Sequence, residues 1–256
     1  MLLASFVVAL LVDFGLPIAL GVYLRRRFGV SWRIFLYGAI IFAGFQLVTR
    51  VPAVTLLNSL LRPSEQSAAF QWTWLAALAL TAGIFEEVGR YVGYRWLFRG
   101  ERRTWDRALM FGAGHGGLEA MGLVGLQVLS TLVTVIAFSR LDAAQWNLPE
   151  AQATQVRQLL ALPWWMPLLG AFERIGAMAV HVSLAVMVLQ VFTRGRLIWL
   201  WIAVGYHATM NFAVVGLAMR FWGPIGAELA MALFALISLG VIFALRPGAW
   251  GKARFT

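Results

Sequence analysis

The sequence predicts an all-α bundle of seven or eight membrane-spanning helices, forming one integral membrane domain over residues 1–256. Three observations predict it. Apolar residues make up 61% of the chain and charged ones 12%, where a soluble domain carries about a quarter charged. The apolar residues fall in runs of about 20 or more, the length a helix needs to cross the hydrocarbon core. The basic residues cluster in the short segments between those runs.

Seven spans follow in order, at about 2–24, 34–58, 70–95, 107–138, 164–193, 197–220 and 224–245. The first, "MLLASFVVALLVDFGLPIALGVYLRRR", has no basic residue ahead of its apolar stretch and three arginines after it. It is expected to be a membrane helix with its N-terminus outside, rather than a cleaved signal. The second and third carry Trp32, Trp72 and Trp74 at their ends, where amphipathic rings settle at the membrane interface. The fourth and fifth exceed a straight crossing of ~30 Å at 1.5 Å per residue, so they tilt, kink or protrude. Glycines in "MFGAGHGGLEAMGLVG" offer the fourth a kink, and Trp164 and Trp165 anchor the start of the fifth.

The loops set the orientation. Fourteen of the 21 basic residues fall on one side: Arg25–Arg27 and Arg33, the 95–107 cluster, Arg194, Arg196, Arg246, Lys252 and Arg254. Arg50, Arg62, Arg140, Arg157 and Arg220 fall on the other. By the positive-inside rule the N-terminus is outside and the C-terminus cytoplasmic, which requires an odd number of spans. The same distribution argues against nucleic acid as a partner, despite a net charge of +10. The longest polar segment, 139–161, is expected outside. In "NLPEAQATQVRQLL", Asn147 reads as an N-cap with Pro149 in the first turn. Leu148, Val156, Leu159 and Leu160 would give that short helix an apolar face on the outer interface.

Charges within spans are costly and mark function by default. All three histidines, His115, His181 and His207, fall in spans, as do Glu86, Glu87, Glu119 and Glu173; Asp13 stands alone in the first. Counted from the nearest cytoplasmic arginine, Glu86 lies roughly 14–20 Å deep, His115 and Glu119 about 12 and 18 Å, His181 about 20 Å and His207 about 17 Å. Four helices therefore carry titratable groups to one depth. Glu86 and Arg90, His115 and Glu119, and His207 and Asn211 are i,i+4 pairs sharing a helix face. A purely structural Glu86/Glu87/Arg90 ion pair would leave one carboxylate unbalanced. His181 reads equally as a packing histidine bonded to Ser183 or a neighbouring carbonyl. Glu173, with Arg174, reads as accessory or structural near the outer face, and Glu119 as a group that orients His115.

"FEEVGR", "FGAGH" and "HATMN" stand in the order EE, FxxxH, HxxxN inside apolar helices. That succession resembles the CAAX-prenyl and bacteriocin-processing (CPBP) intramembrane proteases, a glutamate-dependent group. With "GHGGLEA" and "FERIGAMAVHVS", the fuller pattern over about 80–215 is similar to the YhfC-type intramembrane protease family. The usual EExxxR departs here, since Arg90 comes one residue early and Tyr91 takes its place. The resemblance implies peptide-bond hydrolysis of a membrane-associated protein or peptide by a catalytic core near 80–215. In it Glu86, with His115, activates a water while His207 and Asn211 hold the oxyanion. Glu87 is expected in the same catalytic set, and Arg90, Glu119, His181 and Glu173 as supporting residues. A carboxylate withdrawn from water is a stronger base, and imidazole and amide donors stabilise a developing oxyanion.

Cysteine is absent, which excludes a thiolate metal site and a cysteine nucleophile. HExxH, GxSG and GxGD motifs are absent too. The expectation is a reaction without metal or cofactor; the alternative is zinc on Glu86, His115 and His207. A proton-coupled transporter is the rival from another class, but it would show broken helices in two related halves, and the sequence shows no such halves.

Overall fold

The computed structural model describes residues 1–141 and 146–248, and among them every regular element is helical. Helix α1 (Leu2–Phe28) ends at Gly29, whose φ of 69° is left-handed and whose N–H donates to Arg25 O. Ser31 then caps α2 (Trp32–Phe42), its hydroxyl accepting from Arg33 N at 3.3 Å. This helix runs without a break through a π-helical stretch, Ala43–Arg50, into α3 (Val51–Leu61). Ser67 caps α4 (Ala68–Trp96) in the same way. Next, α5 (Trp105–Leu118) passes through a second π stretch, Glu119–Gly125, into α6 (Leu126–Phe138). The short α7 (Glu150–Leu160) precedes α8 (Met166–Thr193). Last, α9 (Ile198–Asn211) continues through a third π stretch, Phe212–Ala218, into α10 (Met219–Ala244).

Six of these continuous stretches are long and apolar enough to cross a membrane. The sixth, Ile198–Ala244, spans 47 residues, and Gly223 inside it adopts φ 67°, ψ −164°, just before Pro224. Tyr206 Oη donates to Phe234 O at 2.9 Å, so the chain doubles back at Gly223. The expected sixth and seventh spans are thus the two arms of one hairpin. The protein is a multi-pass integral membrane protein.

Helix α8 is the axis. Its apolar window is 83% buried, against 17–28% for the other five crossing stretches. Helix α5 is wedged between α2 and α8, and glycines set that spacing. A Cβ on Gly114 would strike Phe35 Cα at 2.8 Å, and one on Gly112 would meet Val182 Cα at 2.7 Å. These glycines therefore serve close helix packing rather than a kink; the helical irregularity begins one turn later, at Glu119. Phe42, Tyr94, Phe98, Met110 and Phe111 fill the core beside them, and Tyr94 Oη donates to Ala185 O at 2.9 Å. Leucines and phenylalanines such as Leu11, Leu236 and Phe243 face outward, as expected of helices in lipid.

Two local expectations change. The helix in the polar segment begins at Glu150 with Pro149 before it and no side-chain cap, so Asn147 is not the N-cap. Its buried face is Ala153 and Val156 against Trp146, with Leu148 and Leu160 at the edge. Leu159 turns instead toward Phe6, Leu132 and Val135. Phe28, Arg103, Arg194 and Arg246 border one chamber, so the arginine-rich segments share one face of the bundle. Lys252 and Arg254, and residues 142–145 of the polar segment, lie outside the described residues.

Candidate active site

The EE pair sits in the middle of α4, where successive residues point in different directions around the helix. Glu86 faces α5, the first π stretch and α9, while Glu87 faces α9 more directly. Glu86, Glu87, Arg90, His115, His181 and His207 are each 4% exposed or less. Burying that many polar groups is tolerated only when they satisfy one another. Most of their polar atoms do so in one connected network, while Glu87 Oε2, Arg90 Nε and His115 Nδ1 are buried without a partner among the described residues.

Glu86 is its hub. His115 Nε2 lies 3.0 Å from Glu86 Oε2, and Gln46 Nε2 donates to Glu86 Oε1. Arg90 Nη2 stands 3.5 Å from Glu86 Oε2 while its Nη1 pairs with Glu87 Oε1. His181 Nδ1 is 3.7 Å and His207 Nε2 is 3.9 Å from the Glu86 carboxylate. Three imidazoles therefore surround one carboxylate. Each is held from behind or beside. His207 Nδ1 bonds Glu87 Oε1 at 2.7 Å, leaving Nε2 turned to Glu86. His181 Nδ1 receives Arg90 Nη2 at 2.7 Å, and its Nε2 bonds Glu119 Oε2 at 2.8 Å. Phe42 packs edge-on against the His115 ring at 5.1 Å.

The sequence expectations fare unevenly here. Glu86, Glu87, Arg90, His115 and His207 come together as expected, well within reach of one another. Asn211 lines the same cavity. Glu119 does not orient His115: it binds His181 and, at 2.9 Å, Arg174 Nη1. His181 is not a packing residue bonded to Ser183, because Ser183 is satisfied by Val180 O and Ser238 Oγ. Arg174 is not confined to the outer face: it reaches inward to Glu119 while also pairing with Glu173. Asp13 is buried, and neither carboxylate oxygen has a hydrogen-bond partner among the described residues.

Gln46 was not anticipated, and Arg50, expected among the basic residues of the outer side, lies within a continuous helix and lines the cavity. Both lie on the π stretch Ala43–Arg50, whose widened turn redirects side chains, and such bulges are frequent at functional sites. Arg50 Nη2 donates to Leu78 O at 2.7 Å, and Nη1 lies 3.4 Å from Gln46 Oε1. The other two π stretches also begin at the site, at Glu119 and directly after Asn211. The only sequence signal was a glutamine inside the apolar run "FAGFQLV".

The network opens on a cavity of about 290 Å³ lined by Glu86, Glu119, His181, His207, Asn211 and Arg50, among others. It has room and polar partners for several waters. Two groupings of donors lie within 4.8 Å of each other: Glu86, His115 and His181, and Glu86, Glu87 and His207. Imidazole nitrogen with carboxylate oxygen is a donor set that suits zinc. Each imidazole at such a centre needs its other nitrogen held, and the Glu87–His207 and Glu119–His181 bonds supply that. Among the described residues His115 Nδ1 is buried without a partner. The residues fit a divalent cation.

A polar Glu/His centre buried among membrane helices and opening on a cavity has the groups that an intramembrane hydrolase requires. Residues 10–225 match the family described as YhfC intramembrane metalloprotease, and the chain belongs to that family of intramembrane proteases. It is also similar to an uncharacterized membrane protein, YhfC, of Bacillus subtilis strain 168, with 35% identity over 209 residues covering 80% of each chain.

Proposed function

We propose that this protein hydrolyses a peptide bond of a membrane-associated protein or peptide at the Glu86 centre, with the help of a divalent cation. The observation that carries the reading is the ring of three imidazoles within 3.9 Å of one buried carboxylate, opening on a polar cavity. The family designation supports the same reading. Glu86, His115 and His181 would hold the ion; once bound it would polarise the scissile carbonyl and acidify water. Loading it requires Arg90 Nη2 to withdraw from His181 Nδ1. Asn211 lines the cavity beside that position and serves as a hydrogen-bond donor to the oxyanion; His207, whose Nδ1 donates to Glu87, donates from Nε2 as the imidazolium. Glu87, through Nδ1, fixes the His207 ring so that Nε2 faces the reacting atoms. Gln46 holds one oxygen of Glu86, so the carboxylate cannot rotate away. The catalytic core comprises α4, α5, α8 and α9 with the first π stretch. By the positive-inside rule, the N-terminus lies outside and the reaction nearer the cytoplasmic side.

A second reading, glutamic and metal-free as in the CPBP group, is favoured by one feature. Arg90 already occupies the lone pair of His181 that a metal needs, and His115 bonds Glu86 directly. There Glu86 takes the proton of an attacking water and returns it to the departing amine. Metal content by mass spectrometry on the purified protein separates the two. The metal reading expects about one zinc-class ion per chain, lost with activity on chelation and restored with it. Full activity without bound metal would leave the glutamic reading standing.

A further inference from the structure

Behind α8, away from the Glu86 cavity, lies an apolar groove of about 680 Å³ between α1, α8 and α10. Its floor is made of small residues, Gly176, Ala179 and Ala232, and its walls of Leu20, Met231 and Phe243 among others. Along α10 it runs from Met231 to Phe243, about 18 Å at 1.5 Å per residue, more than one leaflet of the ~30 Å core. At its end it meets a second chamber of about 740 Å³, and the two share Phe28, Trp105 and Arg246.

That chamber is strongly basic. Arg103, Arg194 and Arg246 line it against a single acid, Asp106. None of the three arginines has a carboxylate partner among the described residues. Arg103 Nε donates to Tyr94 O at 3.0 Å, Arg194 Nε to Gln190 Oε1 at 2.9 Å, and Arg246 stacks over Trp105 at 5.4 Å. Among the described residues their remaining N–H donors have no hydrogen-bond partner, which suits them to an anion. The same chamber contains the start of α5, whose N-cap residue Thr104 makes no capping bond and keeps a buried hydroxyl without a partner among the described residues. Uncapped N–H groups at a helix start favour phosphate.

We propose that groove and chamber together bind one anionic phospholipid. An acyl chain lies along α10, and the phosphate sits among Arg103, Arg194 and Arg246. A long apolar slot explains the chain, and three uncompensated guanidiniums at headgroup depth explain the charge preference. The site is separated from the hydrolytic centre by the thickness of α8, so it stands whether or not the protein cleaves peptides.

Detergent-purified protein titrated with dioleoylphosphatidylglycerol or dioleoylphosphatidylcholine, read by native mass spectrometry and thermal unfolding, tests it. The wild type should bind and be stabilised by the phosphatidylglycerol in preference to the phosphatidylcholine. Arg103→Gln and Arg246→Gln should each weaken that binding about five-fold, the effect of roughly one basic residue at a membrane surface. Ala232→Trp, which fills the slot, should remove tight binding of phosphatidylglycerol altogether. Unfolding without added lipid shows that each variant is folded. Equal binding of both lipids by the wild type, unchanged preference in the arginine variants, or a dimer that occludes the groove would overturn the proposal.

Discussion

Two faces of α8 run the length of the same helix and do opposite things. Arg174, Ala177 and His181 line the polar cavity, at spacings of three and four residues. Phe172, Ile175, Ala179 and Val182, on the far side at the same period, line the apolar groove. On the first face each of these polar side chains is answered by others: Arg174 by Glu119 and Glu173, His181 by Glu119 and Arg90. On the second nothing needs an answer. The difference teaches where stability and function reside in a membrane bundle. The polar face is an interdependent network, in which losing one member strands the rest, and the apolar face tolerates change.

The largest effect expected from breaking that contrast is catalytic. Glu86→Gln keeps the shape but removes the carboxylate shared by both metal-capable groupings, and should reduce peptide cleavage by about 10³-fold or more. Arg90→Met comes next. It leaves Glu87 buried without its cation, and should lower stability by about 3–5 kcal/mol in reversible unfolding in mixed micelles. Gly114→Leu should then destabilise by about 1–3 kcal/mol in the same assay, since it overpacks the α2–α5 contact. Ile175→Ala, on the groove face and half exposed, should change stability by less than about 0.5 kcal/mol. Should Ile175→Ala prove as damaging as Arg90→Met, the contrast between the faces is wrong.

The fold was legible because spans are written in composition. Runs of apolar residues anticipated the six long apolar stretches found among the described residues, and the hairpin at Gly223 falls between two expected spans. Helix details were less legible. Asn147 looked like a cap in isolation, but Pro149 holds the position before the helix, and only the packing of Trp146 on Ala153 and Val156 decides its face. In the site, Glu86, Glu87, Arg90, His115 and His207 were legible because spacing puts them at one depth. Partner choice was not. Glu119 is one turn from His115 on its own helix, yet it turns to α8, because Arg174 and His181 there offer two charge-assisted bonds. Gln46 and Arg50 depend on a π stretch, which no residue pattern in that run announces.

The central claim is that Glu86 is the hub of a water-activating centre inside the membrane. The most direct measurement is cleavage of a panel of single-span membrane peptides by purified protein in nanodiscs, wild type beside Glu86→Gln, with both shown folded by thermal unfolding. New peptide termini are expected with the wild type and none above background with the variant. Equal cleavage by a folded Glu86→Gln protein would contradict it.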